Sequence, residues 1–147
     1  MSEATKKKSS FIGIAILVVI FAGAAVNAFF DAKSKNPSDA EIHSALVKSA
    51  DEINQTLPMM VDSITRLDST MVLPGRIFVY SYTLKGIDKS EFDSDVFTKE
   101  MRTILINKYK TLDELKSFRD SNVEMRYSYS DEQGSSLATI SVSPEDF

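Results

Sequence analysis

Cysteine is absent from all 147 residues, and histidine occurs once, at His43. The first absence removes disulfides, thiolate metal sites, cysteine nucleophiles and lipoprotein-type anchoring together. It fixes no compartment, because oxidising and reducing locations both tolerate cysteine-free chains. The second removes histidine-based zinc clusters and catalytic clusters within one chain. A catalytic histidine needs a nucleophile and an orienting acid beside it, and no motif marks either partner for His43. It reads as a surface or half-buried side chain of a helix. Positive charge is also short: 17 Lys and Arg face 21 Asp and Glu, a net charge of -4. A nucleic-acid binder needs a basic face to displace counterions from phosphates, so no nucleic-acid partner is expected. The sequence offers no cofactor motif either.

The only dense basic run, Lys6-Lys7-Lys8, precedes the longest apolar one. From Phe11 to Phe30 runs FIGIAILVVIFAGAAVNAFF, uncharged and with Asn27 as its one strongly polar side chain. A helix rises 1.5 Å per residue, so this stretch matches a bilayer core of about 30 Å. Backbone polar groups in lipid must pair internally, which makes the span a helix. The lysines before it outnumber Lys33 and Lys35 after it, so the N-terminus is expected in the cytoplasm and the rest beyond the inner membrane. Val26-Asn27-Ala28 fits a signal cleavage site, and the alternative is a secreted or periplasmic chain after cleavage. The apolar run exceeds the roughly 7–15 residues of a signal core, which favours a retained anchor. The expected organisation is a basic N-terminus at 1–10, a transmembrane signal anchor at 11–30, a tether at 31–37 and an extracytoplasmic domain at 38–147.

The domain opens on Ser38-Asp39-Ala40-Glu41, a capping box. Ile42, Leu46, Ala50, Ile53 and Leu57 then recur at helical spacing until Pro58 stops the ladder. Two extended runs follow, Ile64 to Leu73 and Arg76 to Leu84, joined by Pro74-Gly75 in the manner of a hairpin. Asp88-Lys89-Ser90-Glu91 offers the next cap, and Phe97, Met101, Ile104 and Leu105 carry a second helix to about Tyr109. A further helical turn is expected over 111–120, capped by Thr111 and Glu114. Val123, Met125, Tyr127 and Tyr129 then alternate with Glu124, Arg126 and Ser128, and Ala138, Ile140 and Val142 return after a turn at Asp131 to Gly134. The expected fold is α+β: a two-layer sandwich of order α-β-β-α-β-β with an antiparallel sheet.

Two Tyr-x-Tyr pairs, Tyr80 with Tyr82 and Tyr127 with Tyr129, lie on different strands and form one cluster if those strands are neighbours. Core packing with the hydroxyls at the sheet edge is one reading; a tyrosine-lined binding face is the sharper one. Arg66 and Asp68 share a strand face and are placed to pair there. The acidic set Asp88, Glu91, Asp93 and Asp95 lacks the spacing of a calcium loop, and it suits the positive end of a helix. Asn54-Gln55-Thr56 fits a glycosylation sequon but falls inside a helix.

The pattern LPMMVD..TRLDST..LPG....Y.YTL, with the later YSY and the closing SPEDF, resembles a group of small, uncharacterised bacterial proteins with an N-terminal membrane span. The resemblance runs from Leu57 to Phe147. It implies a bacterial envelope setting and no activity. Taken together, the sequence points to a membrane-tethered, non-enzymatic domain that contacts the bilayer through Phe11 to Phe30 and binds an envelope protein through its sheet face or a strand edge. The alternative is a small envelope enzyme or ligand-binding protein built on Tyr80, Tyr82, Tyr127, Tyr129, Arg66 and Asp68.

Overall fold

The computed structural model describes residues 36–147. The expected span at 11–30, the basic segment before it and all but the last two tether residues lie outside the described residues. Among the described residues no helix is long and apolar enough to cross a membrane.

Helix α1, Asp39–Asn54, begins as its sequence directs. The Ser38 side chain accepts from the Glu41 amide while Glu41 accepts from the Ser38 amide, so two orphan donors are satisfied reciprocally. The helix stops at Asn54, earlier than proline at position 58 requires, and a cis Leu57–Pro58 bond follows. A two-residue strand β1, Met59–Met60, comes next. It was not expected, because two residues carry no readable alternation. Strands β2, Thr65–Leu73, and β3, Ile77–Leu84, form the expected hairpin. Gly75 takes the positive φ of 86° that the turn demands, and Arg76 follows at 61°.

Asp88 caps only a 3-10 turn, Lys89–Glu91; helix α2, Ser94–Thr111, is capped by Asp93. A 3-10 turn at Asp113–Leu115 leads into α3, Lys116–Asp120. Thr111 does not cap it: its hydroxyl donates back to the Asn107 carbonyl inside α2. Strands β4, Glu124–Asp131, and β5, Ser136–Val142, complete the sheet, and a 3-10 turn, Pro144–Asp146, folds back so that Asp146 meets Arg102 of α2.

The five strands lie in the order β1-β2-β3-β4-β5. The expected all-antiparallel sheet is corrected at its centre, where β3 and β4 run parallel. The reason is the crossover. Parallel neighbours need a connection of a dozen residues or more, and the helical segment between β3 and β4 carries the chain back along the sheet. The Glu124 amide consequently donates to the Arg76 carbonyl, at the end where β3 also begins. Helix α1 packs on β2 and α2 on β5. Their apolar sides join the inward residues of all the long strands in one core, including Leu46, Phe78, Met101, Leu105, Phe118 and Met125, each at most 2% exposed.

The β2 edge is closed by three devices. The Lys85 amide donates to the Ile64 carbonyl, and alternation along an antiparallel strand then turns Thr65 and Leu67 away from β3. The Thr65 carbonyl accepts from Val61 and its amide donates to Asp62 Oδ1 at 2.8 Å, while Leu67 pairs with Met59 of β1. A bulge between Leu67 and Ser69 resets the parity. Beyond it the Asn54 carboxamide takes both Thr70 groups, accepting from its amide at 2.7 Å and donating to its carbonyl at 2.9 Å. Replacing Asn54 with Ala leaves that donor and acceptor unpaired beside the core. We expect a loss of about 1–3 kcal/mol in urea unfolding, together with increased light scattering from the reopened edge.

Candidate functional site

Parallel pairing of β3 with β4 sets Tyr80 opposite Tyr127 and Tyr82 opposite Tyr129. The four side chains thus share the helix-covered face. The paired rings stack with centroids 5.3 Å apart at 9° and 5.1 Å apart at 15°, and Tyr80 and Tyr82 lie 6.4 Å apart at 18° along their strand. Phe97 of α2 closes edge-on against Tyr129 at 5.0 Å. The structure brings the four predicted tyrosines together and buries them: each is at most 2% exposed. They form the middle of the core, with no open ring face.

Their polar ends set the electrostatics. The hydroxyls of Tyr80, Tyr82 and Tyr129 are buried without a hydrogen-bond partner, whereas Tyr127 donates only to the Met125 sulfur at 3.7 Å. Burial pushes the Tyr80, Tyr82 and Tyr127 phenols far above their ordinary value. Burial does the same to Tyr129, and the Asp62 carboxylate adds to it. Tyr109 is also raised by burial, against the opposing pull of the Arg119 guanidinium, but its hydroxyl is satisfied by the Val123 carbonyl at 2.6 Å. An unpartnered buried hydroxyl costs roughly 1–3 kcal/mol. These groups are strong proton holders and poor nucleophiles near neutral pH.

Asp62, which sequence reasoning passed over, has two unlike oxygens. Oδ1 accepts from the Ile64 and Thr65 amides at 2.8 Å each, and Oδ2 is buried without a partner. The Asp62-Ser63-Ile64 order is a local turn signal that periodicity does not weigh. Asn54 was likewise read only as a sequon; its bond to Thr70 joins two elements and leaves no mark in either one.

Arg66 and Asp68 lie on the opposite sheet face, away from α1 and α2 and separate from the tyrosines. Arg66 Nε donates to Asp68 Oδ1 at 2.5 Å, and the Thr83 hydroxyl donates to Asp68 Oδ2 at 2.6 Å. A matching pair on β4 has Arg126 donating to Glu124 at 2.8 Å. Between the two pairs the register lines up Ser69, Ser81, Ser128 and Thr139 across four strands. This row is polar and short-chained, and the charges flanking it are matched. Toward the β2–β3 turn the same face carries Leu73, Ile77, Val79 and the exposed Met71. Among the described residues no group of three or more His, Asp or Glu is arranged to hold a metal ion.

The fold recurs in three solved structures. A Pseudomonas aeruginosa protein classed as secreted superposes with a TM-score of 0.60 at 15% identity, covering 73% of this chain and 95% of its own. EpsS, the pilotin of the Vibrio vulnificus type 2 secretion system, gives 0.56 at 12% identity, covering 73% and 92%. AspS, the type II secretion pilotin of Vibrio cholerae, gives 0.53 at 10% identity, covering 74% and 94%. At these identities the likeness is one of fold. No curated protein matches the chain. Residues 41–138, which hold the β2–β3 hairpin, all of β4 and all five tyrosines, match a defined sequence family, and the chain belongs to it: the domain of unknown function DUF8479.

Proposed function

We propose that this chain is a non-enzymatic accessory protein of the bacterial envelope, tethered by residues 11–30, whose domain binds another envelope protein. The observation that carries this reading is the shared fold. More than nine-tenths of two secretion pilotins superposes on it, and the third neighbour is classed as secreted. The interior chemistry agrees. The five tyrosines are packed and hold their protons, which suits a scaffold better than a reaction centre.

The test is crosslinking of the tagged full chain in intact cells, followed by mild detergent extraction. The expected result is one or a few stoichiometric envelope proteins. A chain that stays a solitary monomer under every crosslinker length overturns the reading. A reporter fused after Phe147 should be active only outside the cytoplasm, and intact mass should retain residues 11–30. A mass lacking them replaces the anchored protein with a periplasmic or secreted one.

A second reading, a ligand carrier using the tyrosine hydroxyls, is favoured by one observation: three of those hydroxyls have no partner. The near-complete burial of the rings weighs against it.

A further inference from the structure

The two edges of the sheet are treated differently. On β2, Asp62, β1 and Asn54 close three of the four outward-facing residues, Thr65, Leu67 and Thr70, leaving Val72. On β5 the parity follows from β4. Glu124 donates to Arg76, so Glu124, Arg126 and Ser128 face β3, while Met125, Tyr127 and Tyr129 face β5. Their partners Val142, Ile140 and Ala138 turn toward β4, and Thr139 and Ser141 must turn their amides and carbonyls away from the sheet.

Both ends of this open stretch are capped. The Ser94 hydroxyl donates to the Leu137 carbonyl at 2.7 Å, and the Ser143 amide donates to Asp146 Oδ2 at 2.7 Å. Between the caps, two donors and two acceptors lie in a row, with no strand among the described residues beside them. Thr139 is exposed and Ser141 half-exposed. The strand SLATISV contains no charge and no proline, the devices that ordinarily guard an edge. Helix α2 runs alongside: Ser94 meets Leu137 at one end of β5, and Arg102 meets Asp146 past the other.

We infer that the β5 edge at Thr139 and Ser141 is a strand-addition site for a short, extended, uncharged segment of a partner protein, received alongside α2. This rests on the accessory reading above and specifies how its partner is held. An added strand completes the two amides and two carbonyls. The absence of charge on β5 favours a neutral segment, since the strand itself offers a charged side chain no counter-charge. A second copy of this chain is the poorer occupant. Two open residues per copy form a contact far below the ~1,200 Å² of a stable interface, whereas a short segment of a larger partner needs only this length.

The test uses the detergent-solubilised full chain and a phage-displayed library of random peptides. Recovered peptides should slow amide exchange at Thr139 and Ser141 at least tenfold by NMR, with Val72 unchanged. Thr139→Pro removes an outward amide that β4 does not use, and it should weaken binding at least tenfold with the far-UV spectrum unaltered. The exchange measurement on the unmutated chain stands whether or not that variant folds. The inference is overturned if no peptide is recovered, if peptides protect other amides, or if a concentration-dependent dimer protects Thr139 and Ser141 without peptide. Failure of the two proposals is separable. Cellular partner capture that survives Thr139→Pro removes the edge site and leaves the accessory reading. Peptide binding at the edge with no partner in cells does the reverse.

Discussion

Alkaline titration should unfold the domain in one steep transition between about pH 10.5 and 12. All five tyrosines of the chain, Tyr80, Tyr82, Tyr109, Tyr127 and Tyr129, are buried with raised pKa values. A phenol whose folded pKa exceeds its unfolded value contributes its full stability below the unfolded value of 10.0. It loses that contribution as pH rises toward the folded one, because only the unfolded chain releases the proton. Each phenol then removes about 1.4 kcal/mol per pH unit. Five acting together remove about 7 kcal/mol by pH 11, comparable with the roughly 5–15 kcal/mol that holds a domain folded. Tyrosinate absorbance near 295 nm (a standard phenolate band) and far-UV circular dichroism should therefore change together. Phenolate appearing near pH 10 with the helical signal intact would show that the rings reach solvent in the folded state, and the buried row would be wrong.

The same row shows what a sequence can and cannot convey. Alternation in Phe78, Tyr80, Tyr82 and Leu84, and again in Val123, Met125, Tyr127 and Tyr129, assigned each residue to the correct face, because period two is a property of a single strand. Ser38 with Glu41 placed the start of α1 for the same local reason. The pairing of Tyr80 with Tyr127 depends on β3 lying beside β4 in parallel. That relation is set by how the intervening helices cross the sheet, and no local pattern records it. The two-residue strand β1, the bulge at Leu67 and Ser69, and the Asn54 clamp on Thr70 escaped for a related cause: each joins residues too few or too distant for periodicity. The binding-face proposal ran together two sides of one sheet. Tyr80 and Tyr82 point under the helices, while Arg66 and Asp68 point away from them, a separation that strand parity already contained.

Truncating Tyr80 to Ala should destabilise the domain by about 3–5 kcal/mol, the range for removing a buried aromatic ring, and Tyr80→Phe should not. Tyr80 touches Phe78 at 5.1 Å, Tyr127 at 5.3 Å and Tyr82 at 6.4 Å between ring centroids, so its loss strips contacts from three rings at the centre of the sheet. Its hydroxyl, in contrast, has no partner. Deleting the oxygen alone relieves a desolvation cost, so Tyr80→Phe is expected between neutral and about 2 kcal/mol more stable. Urea unfolding of the two variants measures both effects on one scale. Should Tyr80→Phe lose more than about 1 kcal/mol, the oxygen must be satisfied in the folded protein, and the interior row would be a polar site. Should it keep its stability but abolish the cellular phenotype, the hydroxyl acts on a ligand, and the carrier reading displaces the scaffold. Stability that is unchanged or raised, with an unchanged phenotype, is what rings that serve packing alone require, and it leaves partner contact to the surfaces of the sheet.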